Sequence, residues 1–500
     1  MLFLTISCIS GCVFPAKDSA ALKTVKNLDR KYFFNYRTLI KNIENLQPEQ
    51  NIPPLTAFVL AEHHYLKGNH RKAAEYLSDI FISDNSDGAM AGLFIFRDMY
   101  LGRKSIEKLV NTEPGFKDTV AKTAFNIERL HWASATGLHR KASSIQKKTG
   151  IVNKFSLFSS TRVTGYHSVN IKDKLEKQYS ENKLSFPNDT KTVSLAPFEY
   201  EINLNQFSEN KKSSGIFLFT SFSTDKTDSY NIMTNIPYPF KMYINGEAVY
   251  HRQNHKKNNG VFTENMLCEL SEGTHTLLLK ITSYEKTDEN ISLFIKPSEE
   301  SKSPIFDNSQ KKHNGNLNYF GVEKTKTESD TTDTLISRYI RLRKNSFLYD
   351  AIRLDQIKDF YSEISASVSP GIVYMLAIEY LNENRTLSQK LLSFLSEKHP
   401  ELMLPSASLT DIFMENMHYD KAEKTIEKMK DFHNENNNLL TLLKKADLYY
   451  FREWRKKELE TVKKLVSDYP SIPTSMFYHA GIFENSGDIK KSDIHKRIFY

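Results

Sequence analysis

The chain has 500 residues, 39% hydrophobic, 26% charged and 12% aromatic, and its 68 Lys and Arg outnumber 60 Asp and Glu for a net charge of +8. That apolar content excludes wholesale disorder, and 18 Gly with 16 Pro exclude collagen-like and Pro/Gly low-complexity chains. No stretch gives 18 consecutive apolar residues, and the mild positive surplus is not concentrated over a long span, so neither a membrane-spanning helix nor a nucleic-acid partner is expected. The length suits about three domains of roughly 100–200 residues each.

The first eleven residues, Met1 to Gly11, read as a signal peptide, and residues 12–27 as a polar linker. Ile9-Ser10-Gly11-Cys12 resembles a bacterial lipobox, an aliphatic residue and two small ones before the cysteine that receives lipid. The resemblance implies cleavage before Cys12, a diacylglyceryl thioether on its sulfur and a fatty acid such as palmitate on its amino group. Two or more chains anchor stably, since each buried methylene contributes ~0.8 kcal/mol. Of the three cysteines, Cys268 lies in the alternating run Asn265-Met266-Leu267-Cys268-Glu269-Leu270 and is expected to be a buried, inert thiol.

Residues 28–150 carry a helical pattern, with apolar positions three and four apart such as Phe33, Tyr36, Leu39, Ile40 and Ile43. Within it, Ala61, Gly68-Asn69 and Ala73 resemble the helix–turn–helix of a tetratricopeptide repeat, where small residues let two helices approach and Gly-Asn makes the turn. The same register recurs in residues 334–500. Met417 to Ala422 and Gly487 to Ser492 stand 70 residues apart, about twice the 34-residue period. Arg452-Glu453-Trp454 falls between them, Tyr469-Pro470 closes that unit, and Met375 to Arg385 reads as a further first helix and turn. Both helical regions are therefore expected to be tetratricopeptide-like α-solenoids. The helical pattern runs to Tyr500 without a cap, so both ends read as cut short.

Between them the period changes to two. Lys241 to Tyr250 is a pair of strands about Asn245-Gly246, the strongest short hairpin signal, and Gly273 to Ile281 is another strand. Ser214–Ser221, Phe198–Leu204 and Ile291–Ile295 are further strand candidates, so residues 151–297 are expected to form an antiparallel β-sandwich. Ser208 to Ser213 reads as a loop within it, and residues 298–333 as a polar tether. The fold class is thus α plus β, two solenoid regions flanking a sandwich. The segments Lys241–Tyr250 and Leu270–Ile281 resemble the jelly-roll modules of the sugar-binding domain of family-two glycoside hydrolases and of the protective-antigen type. That resemblance implies a possible glycan and possible ligand contacts at Tyr243, Asn245 and Tyr250. Asn245-Gly246 also has a structural reason to be there, the positive φ of the turn.

The order of segments resembles the front part of large bacterial envelope proteins that continue into a transglutaminase-like domain. No cysteine follows Cys268, so a Cys-His-Asp site cannot be assembled downstream of it within this chain. No phosphate loop, nucleophile elbow or H-E-x-x-H helix occurs. His63-His64 and His70 lack completing ligands and are expected to be packed or solvated rather than metal-bound. Glu299-Glu300 and His255 to Asn259 read as solvated polar segments, and Tyr243, Tyr250, Phe262 and Tyr284 as strand-face packing or, alternatively, a sugar-stacking platform. No catalytic residue, cofactor or metal is assigned. The expectation is a non-enzymatic, lipid-anchored envelope protein, its body periplasmic or extracellular, whose solenoids bind a protein or peptide while the sandwich serves as spacer or weak glycan-binding module. The alternative is the docking part of a larger transglutaminase-like enzyme.

Overall fold

A computed structural model describes most of residues 36–472; the longest stretches outside the description are 1–35, 161–168, 205–213, 323–334, 361–368 and nearly all of 473–500. The expected signal peptide, Cys12, the 12–27 linker and the turn at Gly487 lie outside the described residues. Within them the chain is mixed α and β. Seven helices come first: α1 (Tyr36–Ile43), α2 (Pro54–Leu66), α3 (His70–Ile82), α4 (Ser86–Arg97), α5 (Arg103–Asn111), α6 (Thr119–Ala135) and α7 (His139–Thr149). Strand β1 (Lys154–Ser160), helix α8 (Lys174–Ser180) and strands β2 (Lys191–Ser194), β3 (Ile202–Asn203), β4 (Ser214–Thr224) and β5 (Asp228–Asn235) follow. Then come β6 (Phe240–Ile244), β7 (Glu247–Arg252), β8 (Glu264–Leu270), β9 (Gly273–Ser283), β10 (Asn290–Pro297), β11 (Ile305–Asp307) and β12 (Leu317–Val322). The last helices are α9 (Leu335–Tyr349), α10 (Pro370–Glu383), α11 (Arg385–Lys398), α12 (Met403–Glu415), α13 (Tyr419–His433), α14 (Leu439–Phe451) and α15 (Arg455–Asp468).

Four helical hairpins, α2–α3, α6–α7, α12–α13 and α14–α15, close with one turn geometry. Gly68, Gly137, Met417 and Glu453 are left-handed, with φ of 79°, 72°, 58° and 56°. The next residue in each turn donates its N–H back five positions, to the carbonyls of His64, Ala133, Phe413 and Tyr449, at 2.8–2.9 Å. This is the Schellman closure, which satisfies carbonyls left open at a helix C-terminus. Five residues after the left-handed position, Ala73, Ala142, Ala422 and Glu458 are buried where the second helix meets the first. Apolar periodicity alone does not single out the α6–α7 turn. Yet Gly137-Leu138-His139-Arg140-Lys141-Ala142 matches Gly68-Asn69-His70-Arg71-Lys72-Ala73 at five of six positions, 69 residues away.

The strands form two antiparallel sheets, one ordered β2-β1-β4-β9-β6-β7 with β11 added beside β4, the other β12-β8-β5-β10-β3. Their facing sides share a core of alternate residues: Ile216 and Leu218 on β4, Leu277, Leu279 and Ile281 on β9, Tyr230 and Ile232 on β5, Leu293 and Ile295 on β10. The outer faces are covered as well. Helix α8 and Leu184 lie over Phe217, Phe219, Tyr243 and Leu278 of the larger sheet, while Met233 and Phe294 of the smaller sheet join the helical core. Helices, sheet, sheet and a single helix therefore stack in sequence. The hairpin signal at Asn245-Gly246 holds, with φ of 51° and 87°, the pair of positive values that a tight two-residue hairpin turn requires.

Two expectations change. The segment 298–333 is not wholly a tether, because β11 pairs with β4 and β12 with β8 across a bulge at Tyr319/Gly321. Edge strands bury few side chains, so their sequence signal is faint. The candidate Phe198–Leu204 contracts to the two residues of β3, paired only with Asn290 and Ile291.

The two helical regions are also not separate bodies. One apolar core runs from Leu39 and Phe58 through Leu130 to Tyr339, Met375, Leu404 and Ile426. Helix α4 packs on α9, and α2 packs on α10 and α12. Helix α2 is consequently buried from Thr56 to Leu66 on all sides, as a helix without a polar face must be.

Candidate functional site

The resemblance-derived contact residues sit at the end of β6 and along β7. Tyr243 is buried under α8, and its hydroxyl donates to Glu176 Oε1. Burial, then that carboxylate, hold its phenol well above the ordinary tyrosine range. Glu176 belongs to a capping box in which it accepts the Asp173 N–H at 2.7 Å, and its Oε2 also takes the wholly buried Lys280 ammonium at 2.7 Å. The charges here are paired and hydrogen-bonded, the condition under which buried ions persist. Glu176 and Lys280 therefore fix α8 to the sheet, and the Tyr243 ring is closed to a ligand.

Asn245 is spent inside the fold too. Its Oδ1 accepts the Thr276 N–H at 3.0 Å, and its Nδ2 meets His275 Nδ1 at 2.9 Å and the Gly315 carbonyl at 3.1 Å. Tyr250 is half-buried with its ring 5.3 Å from Phe240, and Phe262 is buried against Phe294. Tyr284, Glu299, Glu300 and Lys256 to Asn259 lie outside the described residues. Tyr243 and Phe262 are therefore packed inside the fold, Tyr243 because period two sends it to a face that a helix covers. Asn245→Ala is expected to lower stability by about 2 kcal/mol, from the lost bonds and the unfavourable positive φ, read as a lower urea midpoint.

Cys268 is buried, and burial pushes its thiol up to about 12. It should resist iodoacetamide in the native protein and react fully in guanidinium, as peptide mass mapping would read; native labelling would contradict this burial. The histidines are buried as well. His63 Nδ1 meets the Tyr36 hydroxyl at 3.0 Å, His70 Nδ1 accepts the Tyr100 N–H at 2.7 Å, and His64 stacks on Tyr76 with centroids 5.6 Å apart. Among the described residues no group of three or more His, Cys, Asp or Glu could hold a metal ion, and no helix is long and apolar enough to cross a membrane.

A second buried ionic group joins the helical segments before and after the sandwich. Glu62 on α2 accepts from the Tyr339 hydroxyl and from Arg343 Nη2 at 3.2 Å, both on α9. Arg343 Nε donates to the Tyr339 oxygen at 2.9 Å, and its guanidinium lies 4.7 Å from the Phe94 ring centre. No sequence motif marks this group, since its members stand 277–281 residues apart.

The α12–α13 and α14–α15 turns form an edge that carries several exposed large apolar side chains. Met417, Tyr450, Phe451 and Trp454 are 76%, 50%, 45% and 37% exposed. Cations lie against these rings. Lys457 Nζ stands 4.0 Å and Arg452 4.6 Å from the Trp454 ring centre, and Arg455 5.1 Å from that of Tyr450. Arg452 is held by Asp420 at 2.5 Å and Glu423 at 2.9 Å across the hairpins. A hollow of about 460 Å³ lies between them, walled by Met417, Tyr419 and Arg452. Rigid aromatics beside Arg are the side chains that dominate protein interfaces. Contiguous exposed apolar side chains of this kind are common on protein-binding surfaces.

No known family and no curated protein matches the chain.

Proposed function

We propose that the chain is a non-enzymatic, lipid-anchored protein of the bacterial cell envelope. Its tetratricopeptide-like helical hairpins hold a protein or peptide partner, and its jelly-roll-like sandwich acts as a rigid spacer. The observation that carries this reading is the exposed edge of Met417, Tyr450, Phe451 and Trp454, set on hairpins with one repeated turn. The recurring left-handed turn, followed by a buried alanine in three of the four hairpins, supports the repeat assignment, since stacked hairpins present continuous faces to partners.

A photo-crosslinker placed at Tyr450 in the full chain, in cells, should yield one discrete protein adduct that Trp454→Ala abolishes. The same probe at exposed Lys390 should yield none. Absence of an adduct at position 450, or an identical one at 390, would overturn the reading. The anchor is tested separately: Cys12→Ala should move the protein from the membrane to the soluble fraction.

A further inference from the structure

The composition suggested an evenly spread charge, and one stretch departs from it. Between Glu128 and Asp173 there is no Asp or Glu, while eight Lys and Arg fall there, as many as the surplus of +8 carried by the whole chain. Helix α7 lies within this stretch. Its inward face is Ala142, Ile145, Gln146 and Thr149, all buried, and Gln146 Nε2 ties the helix to the loop entering β3 through the Ala196 carbonyl at 2.7 Å. That spacing turns Arg140, Ser144, Lys147 and Lys148 outward, and all four are exposed. Arg140 and Lys147 are thus two turns apart, about 10 Å along the axis.

Among the described residues, Lys148 is the one cation of α7 that meets a carboxylate, Glu113 at 3.1 Å. More positive charge gathers beside it. Lys296 on β10 donates from Nζ to the Lys148 carbonyl at 2.6 Å, and burial first, then Lys122 and Lys148, hold its ammonium down to about 8. From Arg140 to Lys148 the outward positions carry serine and no aromatic ring. A nucleic-acid site adds side chains that stack on bases or read them, whereas a field of lipid phosphates asks only for clustered cations. We infer that the outward face of α7 docks on a bilayer surface bearing anionic phospholipid headgroups, with Arg140, Lys147 and Lys148 against the phosphates. The choice of a bilayer rests on the proposed lipid anchor, which would hold this face next to headgroups; the charge pattern stands without it.

Vesicle sedimentation of the full chain carrying Cys12→Ala, which cannot take lipid, tests the face apart from the anchor. The protein should partition more strongly to vesicles of equal parts phosphatidylglycerol and phosphatidylcholine than to pure phosphatidylcholine, the arm that reports apolar insertion. Arg140→Gln with Lys147→Gln should weaken that partition by about 25-fold, at about fivefold per cation, and added salt should weaken it too. Lys463→Gln with Lys464→Gln on α15, the same change of charge at exposed positions, should leave it unchanged. Equal partition to both vesicles, equal loss from the two double variants, or tighter binding to a duplex DNA oligonucleotide through Arg140 and Lys147 would overturn the assignment. The anchor is read by cell fractionation of Cys12→Ala in salt that screens this face, so the two readings can fail separately.

Discussion

Arg343→Met is expected to destabilise the whole chain by about 3–5 kcal/mol, the cost of leaving a buried charge without its partner. Both members are sealed from water, Glu62 at 0% and Arg343 at 1% exposure, so no solvent can replace the lost guanidinium. The effect reaches beyond one pair because α2 and α9 belong to the segments before and after the sandwich. Urea unfolding should therefore show the α-helical signal from both segments shifting together. The double variant Glu62→Gln with Arg343→Met, which removes both charges, should recover part of the loss. Gly371→Ala is a second probe of the same contact: a Cβ there would sit 2.2 Å from Glu62 Oε2, so the carboxylate would have to move. Independent unfolding of the two helical segments, or a neutral Arg343→Met, would contradict the shared core.

Acid should weaken the N-terminal helices well before it protonates ordinary carboxylates. Burial lowers His63 to about 4, His64 to about 3 and His70 to about 4. For His63, Lys67 and His399 add to the lowering, while Glu44 and Glu401 oppose it. For His64, His63, Lys72 and Lys67 add to it and Glu44 opposes it. Unfolded histidines take up protons near pH 6.5, so below that pH the unfolded chain binds more protons than the folded one. Their contribution is complete above about pH 6.5 and is lost as pH falls toward about 4, at up to roughly 1.4 kcal/mol per pH unit for each histidine. The urea midpoint should consequently drop between pH 7 and pH 5. His64→Phe, which keeps the stacked ring on Tyr76 and removes the proton site, should flatten that slope by about one histidine's share. A pH-independent midpoint in this range would show that these rings titrate normally and are not buried as described.

Local signals carried much of this architecture. Asn245-Gly246 specified its hairpin because few other pairs accept two positive φ values. Gly68 marked its turn for the same reason, and the shared Gly137 hexad was equally legible. Met417 and Glu453 adopt the same left-handed turn without glycine, so there the register of neighbouring helices, not residue type, was the readable cue. The candidate contacts fared differently. Tyr243 and Tyr250 were visible as strand aromatics, but alternation tells which residues share a face and not whether a helix covers that face. Helix α8, capped by Asp173, decides that. The two-residue β3 and the edge strands β11 and β12 left almost no pattern to read.

The sequence by itself therefore determined element type, turn position and the division into helical and stranded stretches, because those follow from backbone preferences and short-range periodicity. Only the tertiary structure decided which charges are buried and that the two helical stretches share a core. These depend on partners tens to hundreds of residues apart, and nothing in the local backbone chemistry of Glu62 or Glu176 distinguishes them from the carboxylates left in water.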